Sequence, residues 1–433
     1  MSKRVLKVGF IALLFFSFLL LAVSQNKSHD YRELLRQYTI AQHFYNKATA
    51  LSKVANYGDK EEALEKEQNG KALAAFTSLL PLIPQGLRSN DSLRFYTVFR
   101  IGELQHYFEH FGEAIKFYKL AIDAKKNSAL PDSLLFKPLL YAGIIFYNQN
   151  KFDTAVLFFK QAEGIQTAYK NGLTEAERLY NILGVLHYER GNYKQAKNYF
   201  QKALAVLPPT NPYFDELLVN YKINLAQMHM RLEEYDKANQ IYTELLPKKI
   251  NLNEIHHNIG SLNLSLGRGQ AALLHFKKVV YQNNKIVRLY NNIGQAFFKL
   301  NMYDSAAAYY QKAVRTHDSL GANADMAGYG MVLKNMGDYQ RHFKHFNTAL
   351  SYYQKALRRF YPAFSGDDVL KNPAQFSGVF SYINLFTALI AKAEAWHDIY
   401  LQNHDGTAAQ EELKVYKSAF ALISYVERTY ESD

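Results

Sequence analysis

The sequence predicts an all-α solenoid of tandem helix hairpins, on three observations. The first is a pattern, G-x11-A-x3-[FY]-x2-A, that recurs in seven segments along the chain. Its alanines are Ala114, Ala155, Ala196, Ala238, Ala272, Ala306 and Ala349. The second is the chemistry of the flanking positions. The residue twelve places before the alanine is glycine in six segments (Gly102, Gly143, Gly184, Gly260, Gly294, Gly337) and alanine in the other (Ala226). The residue four places after it is always aromatic, from Tyr118 to Tyr353. Small residues let paired helices approach closely, and the aromatics fill the space between one hairpin and the next. The third is composition: 48% hydrophobic residues, with 33 Tyr and 29 Phe against one Trp, and ten prolines. That balance suits a long repetitive core and argues against extended disorder.

The elements follow in order. Residues 1–24 read as a secretory signal: a basic start (Lys3, Arg4, Lys7), an apolar run from Val8 to Val23, and Ala22-Val23-Ser24 ahead of Gln25 as a cleavage site. Sixteen apolar residues are short for a spanning helix, so the expectation is export to a periplasmic or extracellular space, without stable membrane insertion after cleavage. Residues 29–90 hold two helical stretches divided by Tyr57-Gly58-Asp59 and ended by Pro81 and Pro84; they lack the pattern and are expected to cap the array. The seven repeats occupy 91–361. Residues 362–433 begin with a Gly/Asp/Pro-containing break. Helices are then expected at about 375–403 and 407–428, a degenerate eighth hairpin echoing the pattern at Tyr416 and Ala419. The sequence stops at Asp433 without a polar capping helix, which solenoid ends normally need, so the expectation is that the natural protein continues.

These segments resemble tetratricopeptide repeats (TPR), two antiparallel helices per unit stacked into a right-handed α-solenoid. The resemblance implies a binding surface for another protein or a peptide. Spacings between signature alanines are 41, 41, 42, 34, 34 and 43. Thirty-four is the ordinary TPR period, and the surplus of seven or eight residues equals about two helical turns, so longer helices are expected in those units. A second resemblance covers residues 93–433. The leader, the long repeats, a Tyr361-Pro362 break and the segments 391–396 (AKAEAW), 416–423 (YKSAFALI) and 430–433 (YESD) are similar to secreted bacterial proteins of the CHAT class. In those, a TPR array precedes a caspase-like peptidase domain. The resemblance implies a regulatory or sensor portion and carries over no catalytic residue.

The sharpest candidate site is an asparagine ladder. Asn224, Asn258, Asn292 and Asn335 stand two places before the small residue of repeats four to seven, a position that in TPR geometry faces the concave groove. A carboxamide offers one acceptor and two donors, matching the backbone of an extended peptide. The arrangement resembles the asparagine ladder of O-linked N-acetylglucosamine transferases and the groove of importin-type solenoids. The competing reading gives these asparagines partners inside the repeat. The same register places Lys137, Arg178, Arg231, Arg288, Lys299, Lys334 and Arg341 toward the groove as bases. Glu103, Glu189, Glu254 and Asp338 face it as acids, and Tyr147, Tyr188 and Phe298 add apolar area. Arginines can take carboxylates bidentately, so a peptide with acidic character is the expected partner; ordinary solvated helix faces are the alternative. The ends of the array could also serve self-association.

Other function classes lose ground on composition. Net charge is +12, of which the leader supplies three, leaving +9 spread without a basic run. No nucleic-acid partner is expected. The chain has no cysteine, which removes thiol catalysis, disulfides, cysteine-ligated metals and lipoprotein anchoring. His256 and His257 are adjacent and diverge on a helix, while His342 and His345 lack the carboxylate of H-E-x-x-H. Gly267-Arg268-Gly269 reads as an inter-helix turn, Trp396 as core, and Asp367-Asp368 as a loop pair without a catalytic partner. No metal, cofactor or enzymatic activity is predicted.

Overall fold

The computed structural model describes residues 31–54, 57–169, 173–321, 325–379, 381–404 and 406–431. The predicted leader at 1–24 lies outside them. The described residues form an all-α fold of tandem helix hairpins: eighteen α-helices and four short 3-10 turns. No described helix is long and apolar enough to cross a membrane.

Two compact units divide the chain, residues up to 149 with 154–169, and residues 150–153 with 170 onward. The first carries α1 (Tyr31–Leu51), α2 (Asp59–Leu79), α3 (Asp91–Tyr107), α4 (Phe111–Lys126), α5 (Phe136–Asn148) and the bulk of α6 (Phe152–Ala168). Phe76, Ile101 and Leu104 join α1, α2 and α3 in one core cluster, and Phe95, Tyr118 and Ala142 join α3, α4 and α5 in the next. The second unit runs through α7 (Ala176–Glu189), α8 (Tyr193–Val206), α9 (Phe214–Arg231), α10 (Tyr235–Leu245), α11 (Leu252–Ser265), α12 (Gly269–Phe276), α13 (Lys285–Lys299), α14 (Tyr303–Leu320), α15 (Met326–His342), α16 (Phe346–Phe360), α17 (Tyr382–Asn403) and α18 (Gly406–Glu431).

The signature residues meet inside each hairpin. A Cβ placed on Gly143 would stand 2.6 Å from the Phe159 ring, and one on Gly184 2.6 Å from the Phe200 ring. The same glycine-under-ring contact recurs at Gly102 with Tyr118, Gly260 with Phe276, Gly294 with Tyr310 and Gly337 with Tyr353. The signature alanines and aromatics are essentially without solvent exposure. The turn between the two helices is equally regular. Five residues before each signature alanine the backbone enters the left-handed region: Glu109, Asn150, Gly191, Glu233, Gly267, Asn301 and Lys344, at φ between 58° and 76°. The following amide bonds back to the first helix, as His110 N to Gln105 O (2.9 Å) and Glu234 N to His229 O (2.8 Å). This is a Schellman closure. The extra length of the 41-to-43-residue repeats goes largely into the second helix. α10 and α12 have 11 and 8 residues, whereas α6, α8 and α14 have 17, 14 and 18.

The carboxyl-terminal hairpin differs from expectation at its start. The first helix begins at Tyr382, not near 375. The preceding chain is held out of helical geometry by side chains that bind its carbonyls. Tyr361 Oη donates to Gln375 O (3.2 Å), Ser418 Oγ donates to Pro373 O, and Gly378 takes φ +59°. Gln354 and the fully buried Lys392 hold the middle of this segment through the Gly366 and Lys371 carbonyls. Tyr382, Leu385 and Leu389 then pack with Leu357, Phe360 and Leu422 in one cluster. Trp396 packs partly buried beside Ala391 and Ala395.

Candidate functional site: a closed groove in the second unit

The first helices of successive hairpins present one face to a common cavity of about 520 Å³. Helical spacing selects the lining. α9 gives Gln227, Met230 and Arg231; α11 gives Glu254, His257, Asn258, Ser261 and Ser265; α13 gives Arg288, Asn292 and Gln295. Tyr188 and Glu189 come from the end of α7, Tyr193 from the start of α8, and Ala327 and Met331 from α15. Ser381, Ile383 and Asn384 line the same cavity from the start of α17. A smaller cavity of about 350 Å³ shares Leu264, Ser265 and Gln295 with it and adds Phe298, Lys299, Asn335 and Asp338.

Of the residues singled out by the sequence, Tyr188, Arg231, Arg288, Asn258 and Asn292 meet in the larger cavity, and Phe298, Lys299 and Asn335 in the smaller. Others lie elsewhere. Asn224 lines neither cavity; its Nδ2 donates to Asn181 Oδ1 (2.9 Å) on α7. Lys334 pairs along its own helix with Asp338 (2.6 Å). Arg341, expected to face a partner, is instead bonded to Glu394 and to Asp398 (2.5 Å) of α17. It clamps the carboxyl-terminal hairpin because that hairpin supplies two carboxylates across from it. Arg178 pairs with Glu175 (3.6 Å), and Lys137, Glu103 and Tyr147 belong to the first unit.

The ladder asparagines bond from repeat to repeat. Asn335 Nδ2 donates to Asn291 Oδ1 (2.8 Å), and Asn292 Nδ2 donates to His257 Nε2 (2.8 Å), with Ser261 Oγ at 3.3 Å. Gln227 Nε2 donates to Asn258 Oδ1 (3.3 Å). Asn258 is 8% exposed, and its Nδ2 is buried with no acceptor among the described residues. A buried donor without a partner is uncommon.

Because Asn292 donates to Nε2, His257 carries its proton on Nδ1 and donates to Tyr281 Oη (3.2 Å). That hydroxyl donates to Glu254 Oε2 (3.2 Å), where Lys285 also binds (2.9 Å). Burial lowers the His257 pKa to about 4; Glu254 opposes this, while Arg288 and Lys285 reinforce it. The imidazole is therefore neutral at physiological pH. In the unfolded chain it titrates near 6.5, so as pH falls from 6.5 toward 4 the unfolded state takes a proton the native state refuses. Stability should fall across that window. Urea midpoints at pH 7 and pH 4.5 measure it: His257→Gln should lose less stability on acidification than the parent chain, and equal losses would refute the assignment.

The two arginines differ. Arg288 donates through Nε to Asp325, the N-cap of α15, whose other oxygen accepts from Gly328 N (2.9 Å). Arg231 donates Nη2 to Tyr188 Oη (3.0 Å) and lies over that ring at 5.6 Å. It pairs with no carboxylate among the described residues. Burial raises the pKa of Glu189, opposed by the nearby Ser381 hydroxyl and by both arginines. Sequence reasoning missed His257, Gln227, Gln295 and Ser261, although each lies three or four residues from a predicted groove position or beside one. Ser381, Ile383 and Asn384 left no signal in the repeat pattern.

Comparison with known proteins agrees with the repeat architecture. The tetratricopeptide repeat family matches residues 285–361 and 177–209. Regulatory protein RapD of Bacillus subtilis is 26% identical over 197 residues, 42% of this chain and 55% of that protein. Anaphase-promoting complex subunit CDC16 of Saccharomyces cerevisiae is 26% identical over 144 residues, 33% of this chain and 16% of that protein. The chain thus spans about half or less of these relatives. A solved structure of a Rap protein complexed with competence and sporulation factor superposes with a TM-score of 0.56 at 14% identity, covering 92% of this chain and 99% of that one; this likeness concerns the fold. The matched residues include α7, α13 and α15 of the groove wall, while α9, α11 and α17 lie outside them.

Proposed function

We propose that the protein is a binding scaffold whose second unit takes a short peptide, or the end of a protein segment, in its closed groove. One observation carries the reading. A cavity in the size range of dedicated ligand sites is lined by five successive inner helices. It holds both a guanidinium without a carboxylate partner, Arg231, and a buried amide donor without an acceptor, Asn258. The first suits an acidic group on the ligand, the second a backbone carbonyl. Of the lining acids, Glu254 is engaged with Lys285 and Tyr281. The complex of a Rap protein with competence and sporulation factor is consistent with binding as the role of such a fold. Export rests on the amino-terminal 24 residues, and a regulatory role beside a caspase-like domain on the segments at 391–396, 416–423 and 430–433; the coding sequence beyond Asp433 tests the latter.

The test is panning of a random displayed-peptide library on the intact chain, followed by titration of a selected peptide. Arg231→Ala should weaken binding at least tenfold and leave the urea midpoint unchanged, because Arg231 is exposed in the free groove. Selected peptides that bind the Arg231→Ala chain equally well would place their site elsewhere. Failure to select any peptide would count against the reading as a whole.

A further inference from the structure

The groove is closed by the chain itself. Ile383 Cδ1 lies 2.7 Å from the point where a Cβ on Gly191 would stand, and Ile383 Cγ1 lies 3.0 Å from it. Gly191 occupies the α7–α8 turn at φ +76°, and the space above it asks for glycine. Two residues away, Glu189 borders the same cavity as Ser381, near enough for that hydroxyl to favour its carboxylate. Ser381, Ile383 and Asn384 thereby reach across to the wall that carries Tyr188 and Glu189, and all of them border the cavity that holds Arg231, Arg288 and Asn292.

The two ends of this bridge are unequal. On the carboxyl-terminal side, Tyr382 and Leu385 are buried in the cluster formed with Leu357, Phe360 and Leu422. On the α7–α8 side the hold is the approach of Ile383 to Gly191, with Ser381 beside Glu189 at the cavity edge. A bridge anchored firmly at one end and lightly at the other parts at the light end long before the unit unfolds. From this asymmetry we infer that residues 381–384 are a clasp that opens and closes the groove by undocking from Gly191 and Glu189. The inference rests on the groove being the ligand site. Closure then confines the ligand to a short segment or a chain end, since a long peptide could not run through while Ile383 rests on Gly191. A ligand bound more tightly in the closed state would shift the clasp toward closure.

Thiol labelling tests the clasp without any ligand, in a chain that has no native cysteine. Ile383→Cys reports undocking, and Leu401→Cys, 56% exposed on the same helix, sets the unhindered rate. With 5,5′-dithiobis(2-nitrobenzoate) as probe, the thiol at 383 should react at least tenfold slower than the one at 401. Its rate should respond to added urea much more weakly than global unfolding does. Asn384→Cys serves as a second reporter if Ile383→Cys does not fold. Labelling as fast as at 401 would show that the clasp is not docked, and labelling that tracks global unfolding would show a fixed wall; either result overturns the inference. Both leave peptide binding untouched as a separate question, just as a failed peptide selection leaves the labelling result intact.

Discussion

Replacing Lys392 by methionine should destabilise the second unit by about 2–4 kcal/mol at neutral pH, by leaving buried acceptors unsatisfied. Lys392 has no solvent exposure. Its Nζ donates to Gln354 Oε1 (2.6 Å), Asn372 Oδ1 (2.8 Å) and Lys371 O (3.0 Å). Methionine fits the aliphatic stem but gives those oxygens nothing. Lys371 O keeps Gln354 Nε2 at 3.2 Å, whereas Gln354 Oε1 and Asn372 Oδ1 lose Lys392 as a donor. The pH dependence makes the test specific. Burial lowers the Lys392 pKa to about 7, with Glu411 and Asp368 opposing, while in the unfolded chain it stays near 10.4. Between those values the native state binds fewer protons than the unfolded one, so the parent chain gains stability from this group as pH rises from 7 to 10. The methionine chain lacks that gain, and its deficit should grow. Urea unfolding at pH 6.5 and 9.5 reads both; a deficit that shrinks with pH would contradict the burial of an ionisable amine there.

Gly143→Ala should destabilise by roughly 2 kcal/mol, although alanine is the better helix former. The helix-propensity gain is up to about 1 kcal/mol. The added methyl would stand 2.6, 2.8 and 3.2 Å from three carbons of Phe159, a ring with no solvent exposure and nowhere to retreat. Overpacking of this kind costs about 1–3 kcal/mol, and distances this short place it at the upper end. Gly164→Ala, in the helix that carries Phe159, is the matched control. Nothing lies within 4 Å of its added methyl, so it should stabilise by up to about 1 kcal/mol. Opposite signs in thermal or urea melts confirm the glycine-under-ring contact; two gains of similar size would refute it.

These contacts also explain what the sequence made legible. A glycine sixteen residues before an aromatic, with an alanine between, describes a hairpin whose helices touch at one fixed point, and that point recurs with little variation. The turn was far less visible. Three of its seven left-handed positions hold Glu or Lys, residues that no turn rule singles out, because the Schellman amides impose the conformation even on these side chains. The groove was half legible. Repeat register placed Arg231, Arg288, Asn258 and Asn292 on one surface, since successive first helices face the same way. Register could not foresee that α17 would claim Arg341 through Glu394 and Asp398, or that Ser381, Ile383 and Asn384 would return to the groove. Those contacts depend on a segment outside the repeat, whose path is set by Lys392 and Gln354.

The bonds between ladder carboxamides and their neighbours have a kinetic consequence. Asn292 already donates to His257, and Asn335 to Asn291. A ligand that recruits either donor exchanges one hydrogen bond for another, and the net gain is a fraction of the bond's nominal strength. Asn258 Nδ2, buried without an acceptor among the described residues, offers an addition. Complexes assembled mostly by exchange dissociate readily, so the groove's occupancy would track the current concentration of its ligand and would keep little record of past exposure.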